Sequence, residues 1–361
     1  MNASLRALLP PVAALFLAAP ALACTVCLER PEKTLADRVL NGDGVVIARE
    51  DPEDPFHYRP VSIIHGTVAG VDIPFLVDST TRRRLSSNPE NGVLMVREGQ
   101  IWTRAGFADA EWREVVGRII ASRDEWDNNP EARFAYFEEL LHGQNAFLRH
   151  IAVDELSRAP YGQIRSMREP IPGQVARQAL SDKSLLPWRG FFILMLGMST
   201  EPDHHEIVRE RMATAKRYSL GKEFEPWATA FVEVDGAHAV EWLISGWFEA
   251  PGASTQELRA VTAALTAHAR YGDPALREEI LDALGALPRQ RPDVVGTVAT
   301  ALAEIGDFSR GEAIRLAVRR DTLRRTGVEI APEELFAASS YVYRARQANK
   351  TRALEQQESE G

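Results

Sequence analysis

Cysteine is nearly absent from this 361-residue chain: Cys24 and Cys27 are its only two, set in A-L-A-C-T-V-C-L near the N-terminus. That scarcity restricts what the pair can do. Covalent haem needs C-x-x-C-H, and residue 28 is Leu. Structural zinc needs about four ligands, and neither a second cysteine pair nor a nearby histidine supplies them. A redox dithiol belongs at the start of a helix that follows a strand, whereas this pair precedes the first expected strand. The chain also lacks G-x-S-x-G, G-x-x-x-x-G-K and a post-strand G-x-G-x-x-G, so no such motif marks a hydrolase nucleophile, a phosphate loop or a dinucleotide site. Positive charge is in deficit, with 42 Lys and Arg against 51 Asp and Glu. The resulting formal charge of −9 argues against general nucleic-acid binding, which depends on basic residues at phosphates. After the first 23 residues no run is apolar enough to span a bilayer.

Those first residues fit a secretory signal: Arg6, an apolar stretch from Ala7 to Ala19, and the A-x-A ending Ala21-Leu22-Ala23. Pro10, Pro11 and Pro20 interrupt the stretch, which favours a cleaved signal over a membrane anchor. An exported protein, periplasmic or extracellular, is therefore expected. In an oxidising compartment two neighbouring thiols with no other partner pair with each other, which predicts a Cys24–Cys27 disulfide. The alternative is a lipid anchor on Cys24, which would tether the chain and leave Cys27 a free thiol.

The remainder has two textures. Residues 24–122 alternate as short strands, with Gly44–Ala48, Val61–His65, Asp72–Val77, Gly92–Arg97 and Ile101–Thr103 separated by polar turns, a helix near 33–40 before them and an amphipathic helix near 110–120 after. Five short strands of this kind predict a small β-barrel. From residue 129 the apolar period becomes helical, beginning with Asn129 as a cap and Pro130 at the first helical position. L-P-W-R-G-F-F-I-L-M-L-G at 186–197 aligns with E-P-W-A-T-A-F-V-E-V-D-G at 225–236, and Gly197, Gly236, Gly272 and Gly306 follow at spacings of 39, 36 and 34 residues. Glycines ending helices at that period, each supplying a left-handed turn, predict stacked helix pairs over 129–325. A C-terminal helix at 326–348 and a disordered tail at 349–361 complete the expected α+β, two-domain layout.

On these residues the helical half resembles a HEAT-type α-solenoid. The first hundred residues, with C-T-V-C followed by T-L-A-D-R-V-L-N-G-D-G-V-V-I-A-R-E, resemble the exported OB-type barrels of netrin modules and tissue inhibitors of metalloproteinases. The second resemblance implies an N-terminal Cys24 able to chelate a protease's zinc. That family carries C-x-C with distant disulfide partners, whereas this chain carries C-x-x-C and no further cysteine.

Other clusters have plainer readings. Arg82-Arg83-Arg84 is expected in a solvated loop after a strand. Asp203-His204-His205-Glu206 lacks metal-ligand spacing and suits a helix N-terminus. The acidic 50–55 run before His57 suits a rigid loop, while His57 and His65 fall on what are expected to be neighbouring strands. Trp188, Trp227, Trp242 and Trp247 either fill seams between helices or form an aromatic groove for a partner. The function expected is a non-enzymatic extracytoplasmic scaffold that binds another protein through its helical-repeat surface, with no cofactor, metal or nucleic acid. The alternatives are a regulator of an exported enzyme acting through Cys24, and a redox or metal-dependent enzyme at Cys24 and Cys27.

Overall fold

The computed structural model describes residues 31–67, 72–167, 171–218, 220–319 and 327–360, with side chains through residue 351. Cys24 and Cys27 lie outside the described residues, and so do the disulfide, the lipid anchor and the signal segment.

Helix α1 (Leu35–Asn41) opens on a capping box in which Thr34 and Asp37 satisfy each other's backbone amides. Five antiparallel strands follow: β1 (Gly44–Glu50), β2 (His57–Gly66), β3 (Ile73–Leu76), β4 (Gly92–Glu98) and β5 (Ile101–Ala108). Their order is β3-β2-β1-β4-β5, the partly open arrangement of a small OB-like barrel. The apolar runs V-V-I-A of β1 and V-L-M-V of β4 are central strands buried on both sides. Because side chains alternate, Val46, Ala48, Val93 and Met95 fill the barrel with Tyr58, Ile73 and Trp102. Val45, Ile47, Leu94 and Val96 point the other way, into the core that holds α1 and α3 (Ala110–Ala121).

Helix α2 (Ser79–Ser86) closes the barrel interior with Leu85, and its presence corrects the loop expected for Arg82–Arg84. The helix starts because Asp78 accepts the Thr81 amide as an N-cap. Asp78 also receives Arg104 of β5 at 3.1 Å, bridging the open side between the edge strands.

Short α4 (Arg123–Asn128) leads into α5 (Pro130–Leu141) and α6 (Ala146–Leu156), which pack together as a hairpin. Arg133 of α5 joins Asp37 of α1 at 2.7 Å and Glu155 of α6 at 2.6 Å. Trp112 of α3 meets Phe147 of α6 edge-on at 5.5 Å. The apolar core is accordingly continuous from Ala36 to Ala345, and barrel and helices share it.

Next come α7 (Tyr161–Arg165), α8 (Gly173–Ala179), α9 (Arg189–Gly197), α10 (Pro202–Ala215), α11 (Phe224–Asp235) and α12 (Ala237–Leu243), the last running into a π turn at Ile244–Phe248. Then follow α13 (Thr255–Tyr271), α14 (Arg277–Ala286), α15 (Val295–Ile305), α16 (Gly311–Ala317) and α17 (Pro332–Glu360). Helices α9, α11, α13, α15 and α17 form one row, each packed on the next; α10, α12, α14 and α16 pack against that row.

Close approach within the row comes from glycine. A Cβ on Gly197 would lie 2.8 Å from Ala230, and one on Gly296 only 2.5 Å from the Glu334 backbone. Left-handed or positive-φ geometry occurs at Gly236 (φ 55°) and Gly306 (φ 79°), but Gly197 ends its helix with ordinary geometry and Gly272 has φ −83°. The repeat of glycines thus marks helix ends by two different means. At the C-terminus α17 continues to Glu360, so the segment expected as a tail after 348 is helical.

Candidate functional site

The row of helices carries an open groove of about 520 Å³, lined by one face of α13, by α15 and by the first turns of α11 and α17. No residue of α10, α12, α14 or α16 lines it. Its floor is rich in threonine: Thr262 and Thr266 stand one turn apart on α13, with Thr297 and Thr300 facing them from α15. Thr266 donates to the Thr262 carbonyl at 2.6 Å, while the buried Thr262 hydroxyl has no partner among the described residues.

Glu334 is the fixed charge of this groove. Its carboxylate accepts Arg259 at 2.9 Å and both the amide and the hydroxyl of Thr297 at 2.8 Å. Glu225, Glu304 and Glu333 also line the groove and make no ion pair among the described residues. Glu225 opens to solvent at the rim, yet the surrounding walls desolvate its carboxyl and raise its pKa. With Arg259 committed to Glu334 and Arg270 lying over the Tyr271 ring, the uncommitted charge in the groove is negative.

At one end of α13 a buried cluster ties α7 to the row. Tyr161 donates to Glu233, Arg165 joins the same carboxylate at 2.6 Å, and His268 Nε2 donates to the Thr229 carbonyl at 2.9 Å. Burial holds the His268 imidazole below its usual pKa, and burial with the adjacent Glu233 charge raises that of Tyr161. Gly162 sits against the Tyr271 ring, where a Cβ would be 2.5 Å from the nearest ring carbon.

A serine–histidine pair does occur, at Ser199 and His204, with Oγ and Nδ1 2.8 Å apart. Its setting is that of a turn lock. The Ser199 hydroxyl also accepts the Glu201 amide at 3.2 Å, and His204 is buried beneath Gly173, whose added Cβ would fall 2.0 Å from Nδ1. His205 Nε2 binds the Ser199 carbonyl at 2.5 Å, so Asp203–Glu206 forms the first turn of α10.

Burial bears on the two readings of the four tryptophans. Trp188, Trp227 and Trp247 are buried, and Trp242 is half-buried against Phe231 and Trp247. The first three fill seams between helices, and Trp242 keeps part of its ring at the surface. His57 and His65 share strand β2 rather than facing each other from neighbours, and His57 Nδ1 binds Asp54 at 2.6 Å. Among the described residues no three His, Cys, Asp or Glu side chains are grouped to hold a metal, and no helix is long and apolar enough to cross a membrane. The threonine-floored groove was missed by sequence reasoning. Its signal is a stripe of Thr and Ala at 262, 263, 266 and 267 on α13, facing 297, 300 and 301 on α15.

Comparison with known protein families, with curated proteins and with solved structures finds no match to this chain.

Proposed function

We propose that this chain is a non-catalytic, extracytoplasmic binding module of HEAT-like construction, whose groove across α11, α13, α15 and α17 holds an extended cationic segment of another protein. The observation that supports this most directly is the groove's unspent acceptors: three carboxylates without an ion-pair partner among the described residues, beside a threonine floor. Among the described residues the buried Thr262 hydroxyl lacks a protein partner and the three exposed carboxylates lack a cation, which favours a ligand that brings donors and positive charge together, as lysine or arginine side chains do. An open trough on stacked helices suits a peptide better than a small substrate, because neighbouring helices present repeated contacts along it.

The test is fluorescence anisotropy with a labelled octapeptide of alternating lysine and serine. Wild-type protein is compared with Glu225→Gln/Glu304→Gln/Glu333→Gln and with a control, Glu53→Gln/Glu90→Gln/Glu125→Gln, that removes equal charge from exposed sites elsewhere. Three partly exposed pairs sum to a loss of roughly tenfold in affinity for the groove variant alone. Equal losses in the two variants, or equal binding of a glutamate–serine octapeptide, would overturn the proposal.

A further inference from the structure

A second depression lies between α6 and α8, apart from the threonine-floored groove. Helix α6 turns Ala146, Arg149, His150 and Val153 toward it, and α8 with the turn after it contributes Val175, Gln178, Ala179 and Asp182. Both sets follow the i, i+3, i+4, i+7 spacing of one helix face. Yet these faces do not close on one another: α6 packs on α5, and α8 packs on α9. The space left is about 820 Å³, within the range of roughly 300–1,000 Å³ found for small-molecule sites.

Its chemistry is divided. Leu141, Val153, Ile171 and Phe192 are buried side chains that give it an apolar floor. At the rim, Arg149 Nη1 donates to the carbonyls of Gly143 and Gln144, each at 2.8 Å, which fixes the guanidinium in place. Its Nε and Nη2 have no partner among the described residues. His142 and His150 stand beside it. Asp182 is the one acid in the lining, and its Oδ1 already accepts the amide and hydroxyl of Ser184 at 2.8 and 2.7 Å. Asp182 being occupied by Ser184, the fixed Arg149 guanidinium is the charged group at the mouth of this apolar cavity with donors to spare.

We propose that this cavity binds a small amphipathic monocarboxylate, with its acyl or aryl body on the apolar floor and its carboxylate at Arg149. The fixed guanidinium loses little freedom on binding and presents the paired donors that a carboxylate accepts. The apolar body supplies the area-dependent part of the affinity.

Calorimetric titration of the full chain with decanoate and with 1-decanol, each below its aggregation limit, tests this. Decanoate should bind one per chain, about tenfold more tightly than the alcohol. Arg149→Gln should remove that preference and leave alcohol binding unchanged. Val175→Glu, at a side chain 49% exposed and therefore tolerant of substitution, should weaken both ligands about tenfold while leaving the melting temperature in place. Absence of decanoate binding to the wild type, equal affinity for acid and alcohol, or decanoate binding that Val175→Glu does not change would each overturn the proposal.

Discussion

Helices α9 to α17 and the junction between α6 and α8 solve the same packing problem in opposite ways. Along the row, glycine or alanine at the crossing lets backbones approach until a single added methyl would overlap the next helix, as at Gly197 against Ala230. At the junction the facing residues are Arg149, Val153, Val175 and Gln178, whose bulk leaves a cavity between the helices. One margin of that junction is fastened by Trp188, which donates to Asp154 at 2.9 Å and sets its ring against His150. Small residues at a crossing therefore let backbones touch, and bulkier ones at the junction hold two helices apart.

The largest test of this contrast is truncation on either side. Trp227→Ala, in the row, should cost about 3–5 kcal/mol by removing a buried indole from a packed seam. Val175→Ala at the cavity mouth should cost less than about 0.5 kcal/mol, because its side chain is already half in solvent. Urea denaturation of each variant measures both, and equal costs would erase the distinction between seam and junction.

Next in size is the effect of a methyl group at the crossings. Gly296→Ala places a Cβ 2.5 Å from the Glu334 backbone, so α17 must shift, at a cost of about 1–3 kcal/mol. Gly252→Ala, with nothing within 4 Å, should stay within about 0.5 kcal/mol of wild type. A comparable cost, about 1 kcal/mol, is expected for Trp188→Phe, which keeps an aromatic ring but removes the indole donor and leaves the buried Asp154 carboxylate with Arg158 alone at 3.3 Å. If Trp188→Phe unfolds with wild-type stability, the fastening of the junction lies elsewhere.

How far the sequence carries this comparison depends on whether neighbouring residues or distant ones do the work. β1 and β4 could be located because four consecutive apolar residues bounded by glycine and charge suit a strand buried on both faces. The row of helices could be located because glycine and aromatic residues recur at helix ends. Helix α2 escaped notice: with three successive arginines, only Thr81 and Leu85 turn inward, and its one clear signal was the Asp78 cap. The tryptophans could be found but not interpreted, since period alone does not tell a seam from a surface. Both depressions were invisible, because their walls come from segments far apart in the chain, and the spacing of two helices is set by side chains on each.

The row should also respond to acid more than the junction does. His268 is buried in α13 with its pKa lowered, chiefly by burial, so the folded state keeps the imidazole neutral at a pH where the unfolded chain takes up a proton. The unfolded state then binds more protons, and stability falls as pH drops below about 6.5, by at most about 1.4 kcal/mol per pH unit until the folded-state pKa is reached. His142 and His150 at the cavity are exposed, and neither makes a comparable buried bond. Melting temperatures between pH 7.5 and 5 should therefore separate wild type from His268→Asn, whose profile is flatter. Parallel profiles would remove His268 from the account.

One expected change has the opposite sign. The Thr262 hydroxyl is buried with no partner among the described residues, so its desolvation is uncompensated in the free protein. Thr262→Val keeps the shape of the side chain and removes that cost, which should raise stability by about 1 kcal/mol. The same variant tests the groove. If the hydroxyl is held for a ligand, the gain in stability comes with weaker binding of the lysine–serine octapeptide, because the bound state loses a bond that the free state never had. A gain in stability with unchanged affinity would confine the groove's recognition to Glu225, Glu304 and Glu333 and leave its threonine floor as packing alone.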